Sequence, residues 1–421
     1  RIVLPMPEFL HLLPPQAALN LLLENLPHEI ESEEVESSAA LGRVTVSPVI
    51  AQHPLPSFPR STVDGYAVRA ANTHGASESL PAYLNLVGEV PMGGSPDFAL
   101  SPAECALIHT GGMLPSGADA VVMIEHTQSA RKAEVEVLRS VAVGENILKV
   151  GEDVAKGQEV IPAGTRLRPA EIGGLMALGV THVQVARRPR IAILSTGDEV
   201  VPPDREIGPG QVRDINSYTL SALVERAGGE PVRYGIISDR AGDLLAAASR
   251  ALRECDTLVI TAGSSASVRD LTSQVINQLG PPGVLVHGVD VRPGKPTILA
   301  VCKQQESSRS KPVIGLPGNP VSALVIAGLF VVPVIEKQLG IKQARPEPVV
   351  QARLTLNLAS QAGREDWVPV RLLPDEAGYQ AEPIFGKSNL IFTLARADGL
   401  LRIPPDATGL SAGELVEVIL L

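Results

Sequence analysis

Between Arg190 and Leu339 short apolar runs alternate with helical stretches in a steady rhythm, and that rhythm restricts the fold more than any other feature of the chain. The apolar runs fall at residues 190–194, 232–237, 257–261, 284–287, 297–301 and 313–316. Between them lie a helix capped by Asn216-Ser217 and stopped at Gly228-Gly229, and an alanine-rich helix preceded by Asp239. A third helix is expected from Asp270 to Leu279 and a fourth over residues 321–339. Strands and helices alternating over about 150 residues predict a doubly wound parallel sheet with helices on both faces. Ligands of such sheets lie beyond the carboxyl ends of the strands, so the loops there are where chemistry is sought.

The flanks read differently. Pro15 can open a helix, residues 17–26 are apolar, and the glutamates of residues 29–36 read as a solvated helical face. From Pro48 the chain turns to short runs punctuated by Gly and Pro, with strands expected at 83–90, 105–109, 120–125 and 134–138, a small β domain. Residues 146–181 return to turns and a helix that starts at Pro169 and ends at Gly179. After a linker over residues 342–348, runs at 350–356, 367–372, 399–403 and 415–420 predict a C-terminal β-barrel or sandwich. The fold class is therefore multidomain, α/β plus β.

Composition narrows the function. Of 421 residues 44% are hydrophobic and 19% charged, which excludes a disordered chain. A net charge of −10 argues against nucleic acid and anionic membrane as partners, and aromatics at 3% argue against base-stacking platforms. Cys105, Cys255 and Cys302 show no metal-ligand spacing, so they are expected as buried hydrophobes in a reducing cytoplasm. Pro5 and Pro7 interrupt any leader, and Pro333 interrupts the apolar stretch 321–335 short of the roughly 20 residues a bilayer needs. His53, His109, His182 and His287 are scattered and read as structural.

Four loops after the expected strands carry polar groups. Thr196-Gly-Asp-Glu199 places two carboxylates behind a buried strand, Asp239 follows the next strand, and residues 263–270 offer small residues with Asp270 at a helix start. Leu316-Pro-Gly-Asn-Pro320 opens a helix whose N-terminus favours an anion. Glu199, Asp239 and Asp270, if gathered, would repel one another, and a hard cation such as Mg²⁺ relieves that repulsion. Arg292-Pro-Gly-Lys295 supplies the opposite charge for a phosphate or other oxyanion. Ordinary roles compete with each: N-caps for Asp239 and Asp270, a turn for residues 196–199, a hairpin turn for Asp64-Gly65, and a plain exposed loop for residues 110–117.

Seven stretches in order carry a family resemblance: Ser61-Thr-Val-Asp-Gly-Tyr-Ala-Val68, Thr110-Gly-Gly-Met-Leu-Pro-Ser-Gly117 with its continuation to Val122, Gly151-Glu-Asp-Val154, Ser195-Thr-Gly-Asp-Glu-Val200, Pro293-Gly-Lys-Pro296, Leu316-Pro-Gly-Asn-Pro320 and Leu394-Ala-Arg-Ala-Asp-Gly399. Together they resemble the molybdopterin molybdenumtransferase family, the MoeA proteins and the gephyrin E domain. The resemblance implies a helical domain from residues 1–47 and 146–182, an inserted β-rich domain at 48–145, a molybdopterin-binding α/β domain at 183–340 and the β domain at 346–421. It further implies insertion of molybdate into adenylylated molybdopterin, Mg²⁺-assisted release of AMP, and a homodimer with its sites between subunits. Other molybdenum cofactor enzymes are implied as further partners.

By position, Asp64, Asp153, Glu199, Asp239 and Asp270 match the family's functional acids, and Thr110, Lys295, Pro317, Pro320, Arg364 and Ser388 match other active or ligand-contacting positions. The expected catalytic set is Asp64, Glu199, Asp239, Asp270 and Lys295, with Glu199, Asp239 and Asp270 on the metal. Arg292, Gly263, Ser265 and Asp153 join the substrate contacts. Two departures stand out: Ala262-Gly-Ser-Ser-Ala-Ser267 replaces a Gly-Gly-Val-Ser-Val-Gly loop, restricting the backbone at Ala262 and Ser267, and Val63 replaces a Met. Alternatives are a tungstate-preferring insertase, an adenylyltransferase acting on molybdopterin, and a non-catalytic scaffold that binds the cofactor.

Overall fold

The structure is a computed structural model, described here over residues 12–131, 133–262, 266–304, 309–342, 348–376 and 378–421. Helix α1 (Pro15–Glu24) starts on a proline whose fixed φ suits the first helical turn, and buries Ala18 and Leu22. The glutamate-rich segment corrects the expectation of a helical face. It forms strand β1 (Ser32–Glu36), in which Val35 alone is partly buried while the glutamates face water. Period-two alternation suits a strand, and a distant segment pairs with it.

The next sheet contains β2 (Gly65–Val68), β3 (Ala82–Glu89), β4 (Glu104–Ile108), β5 (Ala120–Met123), β6 (Thr127–Arg131) and β7 (Glu134–Val137), in the order β5-β2-β4-β3-β7-β6. Asp64-Gly65 is not a hairpin turn, because Gly65 is the first residue of β2 and pairs with both neighbouring strands. A Cβ there would stand 1.9 Å from the Val122 carbonyl oxygen, so only glycine allows the close approach. Helix α2 (Pro169–Ala177) follows, and then β8 (His182–Ala186), which pairs antiparallel with β1.

The α/β region comprises β9 (Arg190–Thr196), α3 (Asn216–Ala227), β10 (Glu230–Ile237), α4 (Ala241–Glu254), β11 (Thr257–Ala262), α5 (Ala266–Gln278), β12 (Pro282–His287), β13 (Val291–Arg292), β14 (Ile298–Cys302), β15 (Lys311–Pro317) and α6 (Pro320–Gln338). The sheet order is β10-β9-β11-β15-β14-β12. Strands β10, β9, β11 and β15 are parallel, but β14 runs antiparallel to both β15 and β12, so the sheet is mixed. The segments joining these last strands are too short for a helical crossover, which a parallel pairing requires. Apolar side chains of α1, α3 and α6 cover one face, and those of α4 and α5 the other.

Helix α6 runs through Pro333, as the expected helix over residues 321–339 does, so the proline does not interrupt the apolar stretch as expected. Among the described residues it is the one helix long and apolar enough to cross a membrane, yet Phe330, Ile326, Val334 and Ile335 are buried in the sheet's core. Cys105, Cys255 and Cys302 are free and buried, as expected, and burial pushes the Cys105 and Cys302 thiols up to about 12.

The C-terminal strands are β16 (Val349–Leu354), β17 (Glu365–Asp375), β18 (Gly378–Pro383), β19 (Gly399–Ile403) and β20 (Leu415–Leu420). They run β17-β18-β16-β20-β19, and β19 pairs back onto β17, so the sheet closes into a barrel. Strand β13 leaves the α/β region to pair parallel with β17, setting Arg292 opposite Asp366.

Candidate functional site

A cleft of about 960 Å³ opens between the α/β sheet and the barrel. Its lining includes Arg292, Lys295, Pro317, Arg364 and Ser388, five of the expected site residues, contributed by both sides. Four cationic side chains, the fourth being Lys387, line it against one carboxylate among the described residues, that of Asp366. On a chain of net charge −10 this concentration of cations favours an anion.

The local structure holds these charges in place. Gly294, at φ +119°, packs so tightly on α6 that a Cβ would lie 2.2 Å from Ile326 Cγ1. The Thr297 hydroxyl donates to the Gly294 carbonyl at 2.6 Å, and the Val289 amide donates to that of Lys295 at 2.9 Å, so the turn presents Lys295 outward. Buried Asp366 accepts two bonds from the Arg364 fork, at 2.7 and 3.1 Å, and stands 3.8 Å from Arg292. Behind it, buried Glu365 accepts from Trp367 Nε1 at 2.8 Å and from Arg402 at 2.6 Å. A guanidinium already gripped by a carboxylate has little freedom left to lose on binding an oxyanion.

The Pro317–Pro320 loop does not present the open helix N-terminus that the sequence suggests. Pro320 has no N–H, and the Val321 amide donates to the Ser388 carbonyl at 3.0 Å, so a loop of the barrel caps α6. Pro320 opens the helix and Pro317 lines the cleft. On the far side Asn216 Nδ2 donates to the Gly318 carbonyl at 2.8 Å. Asn216-Ser217 does not cap α3, since Ile215 holds that position; buried Asp214, one residue earlier, accepts from the Ser217 amide at 3.1 Å and from the Ser195 hydroxyl at 3.1 Å.

At the carboxyl edge of β9 and β10 the charges are of the other sign. Asp198, Glu199 and Asp239 come together there, and the Asp239 amide donates to Asp198 Oδ1 at 3.3 Å. Asp239 is not an N-cap, because Arg240 holds that position in α4. Its Oδ1 is buried without a hydrogen-bond partner. Burial, with the charges of Asp198 and Glu199 behind it, holds the Asp239 carboxyl above the usual carboxylate range. Asp270 falls inside α5 and not at its start; its side chain, like Gly263 and Ser265, lies outside the described residues. Among the described residues no three His, Cys, Asp or Glu side chains form a ready metal site.

Asp64 and Thr110 meet at the end of the β2–β4 pair. The Thr110 amide donates to Asp64 Oδ1 at 2.8 Å and its hydroxyl to the same atom at 3.3 Å. Led by the Thr110 amide, these bonds and nearby His109 hold the Asp64 carboxyl below its usual range. His109, read from sequence as structural, stands 3.1 Å from Glu89 and 3.7 Å from Asp64. Asp153 is exposed on a turn whose amide donates to the Leu55 carbonyl at 3.0 Å. Asp64, Thr110 and Asp153 thus sit in other sheets and turns than the cleft and the acidic edge.

Sequence reading missed Asp366, Asp214, Lys387 and Asn319. One signal was available: Arg364-Glu-Asp-Trp367 sets two carboxylates beside the single tryptophan of the chain, in a strand where unpaired charges would not be buried.

Three family models match the chain: MoeA N-terminal region (domain I and II) over residues 13–179, probable molybdopterin binding domain over 192–337, and MoeA C-terminal region (domain IV) over 351–421. A molybdopterin molybdenumtransferase of Nostoc is 35% identical, covering 94% of this chain and 91% of the relative. One of Bacillus subtilis is 32% identical, covering 93% and 90%. The crystal structure of a molybdopterin biosynthesis MoeA protein from Pyrococcus horikoshii superposes with a TM-score of 0.84 at 32% identity, covering 97% of this chain and all 100% of that one. The shared sequence over nearly the whole length, and the shared fold, place the chain in the MoeA family of molybdopterin molybdenumtransferases.

Proposed function

We propose that the chain is a molybdopterin molybdenumtransferase that inserts molybdate into the dithiolene of adenylylated molybdopterin and releases AMP. The observation that carries this reading is the cationic cleft. Its lysines and arginines match a small dianionic oxyanion, and its volume of about 960 Å³ leaves room for a pterin beside it. Lys295 acts as a point charge on the oxyanion, Arg364 as a fork aligned by Asp366, and Arg292 as a second, more exposed cation. Pro317 shapes the wall between the cleft and the sheet edge.

The acidic edge suits Mg²⁺. Its donors are carboxylate oxygens, Asp239 Oδ1 is buried and unpartnered, and neighbouring carboxylates disfavour its charged form until a cation arrives. One or two carboxylates completed by substrate phosphates is the usual set for this ion, and Asp239 with Glu199 would hold it. When bound, Mg²⁺ offsets charge on the diphosphate link and on the departing AMP. Asp64 and Thr110, exposed on their own sheet, complete the site from a second copy in a homodimer. The buried free thiols suit a reducing cytoplasm.

The test is incubation with adenylylated molybdopterin, Mg²⁺ and either molybdate or tungstate, following AMP. Molybdate-stimulated release that is lost in Glu199→Gln is expected. Release indifferent to either oxyanion sinks the insertion reading, ATP consumption without molybdate assigns adenylyl transfer, and pterin binding without turnover assigns a scaffold.

A further inference from the structure

We propose that Asn319 is a positioning residue that fixes the polarity of the Ser388 hydroxyl, turning its hydrogen into the cleft as a donor to the oxyanion. Asn319 occupies the N-cap position of α6, where an asparagine ordinarily accepts a bond from its own helix. Here its side chain makes no such bond. Instead Nδ2 reaches across to the barrel and donates to Ser388 Oγ at 3.0 Å. The residue type is thus explained by the contact between the two regions and not by its helix.

A serine hydroxyl has one hydrogen to give and two lone pairs to fill. With one lone pair taken by Asn319, the O–H hydrogen remains for another acceptor, and both residues line the cleft that Arg292, Lys295 and Arg364 make attractive to anions. A hydroxyl donating to an anion is among the stronger hydrogen bonds available to a protein. The backbone seat of the loop is separate: the Val321 amide holds the Ser388 carbonyl at 3.0 Å whatever side chains stand at 319 and 388. Side-chain changes therefore alter the hydroxyl without unseating the loop.

This inference rests on the reading of the cleft as an oxyanion seat, and calorimetric titration of the full chain with molybdate alone separates the two. Asn319→Ala and Ser388→Ala are each expected to weaken binding about three- to tenfold, and the double variant no more than Ser388→Ala by itself. Asn319→Asp keeps the shape but replaces donor by acceptor, so it should lose about thirtyfold or more, part of which disappears when Ser388 is also alanine. Additive alanine effects, or an Asn319→Asp variant that binds like wild type, overturn the hydroxyl assignment while leaving the cleft reading intact so long as Lys295→Ala still abolishes binding. A wild-type chain that binds no molybdate overturns both.

Discussion

In the cleft, Asp366 grips Arg364 through two hydrogen bonds and stands within ion-pair distance of Arg292. At the sheet edge, Asp239 has Asp198 and Glu199 for neighbours, an oxygen with no partner, and no ion pair among the described residues. Both regions lie beside the same α/β sheet, yet one carries its counter-charge within the chain and the other leaves it to be supplied. A group of cations steadied by an internal carboxylate is organised before its ligand arrives, so binding costs it little reorganisation. Crowded carboxylates are stable only when a cation joins them or one takes a proton. The contrast teaches where each ligand belongs: the oxyanion goes to the prepaired cleft, and a divalent ion with phosphate goes to the unpaired edge.

The contrast breaks most readily at Lys295. Unlike Arg364, it has no carboxylate partner among the described residues, so its charge is left for a ligand of the cleft. Lys295→Ala should lower molybdate-dependent AMP release by about 100-fold or more, read by quenched-flow product assay, with the thermal midpoint unchanged. An effect under about threefold would mean that the charge is only part of a solvated surface.

Asp366→Ala tests the opposite feature, internal pairing. Its side chain is only 4% exposed and its Arg364 partner 26%, so the change strands a half-buried guanidinium. A loss of about 3 kcal/mol in urea unfolding is expected, together with weaker molybdate binding because Arg364 is no longer aligned. Loss of stability with unchanged binding would make Asp366 a structural residue alone and remove the sense of preorganisation from the comparison.

How much of this could be read beforehand follows from the range of the interactions. Helix α3 ends where expected, at Ala227, because that end is written locally: Gly228 takes φ +99°, the left-handed conformation that stops a helix, whereas Asn216-Ser217, expected as its cap, lie inside it. Strand β1 is not legible locally because its partner β8 is distant in sequence, and the glutamates alone resemble a solvated helix. The antiparallel β14 was likewise hidden, since strand direction is set by connection and not by composition. For the site, residue types point to the turn at 292–295, and Arg364 and Ser388 come only from positional match to the family, outside the quoted stretches. Their convergence depends on β13 leaving the α/β sheet to pair with β17, a two-residue event with no periodicity to show it. Asp366 and Asn319 act through geometry, by holding another side chain; Asp366 leaves a local trace in the carboxylates beside Trp367, while nothing local distinguishes Asn319 from an ordinary helix cap.

The smallest effect sharpens the comparison furthest. Asp239 in the folded chain holds its proton above the ordinary carboxylate range, first through burial and then through Asp198 and Glu199. A folded-state pKa above the unfolded one means that the native state binds the proton more tightly. The charged group therefore costs stability at neutral pH, and the cost is relieved as pH falls through the raised value. Asp239→Asn should remove that cost, raising the thermal midpoint at pH 7 by about 1 °C and flattening its rise toward acid. Magnesium acts on the same group from the other side. It should raise the wild-type midpoint at pH 7, raise it less where Asp239 is protonated, and leave Asp239→Asn nearly unmoved. If Mg²⁺ shifts wild type and variant equally, the acidic edge is not where the ion sits; if the variant is less stable than wild type at pH 7, the bonds to the Asp239 carboxylate from Asp198 and Thr196 outweigh its burial and the asymmetry between edge and cleft disappears.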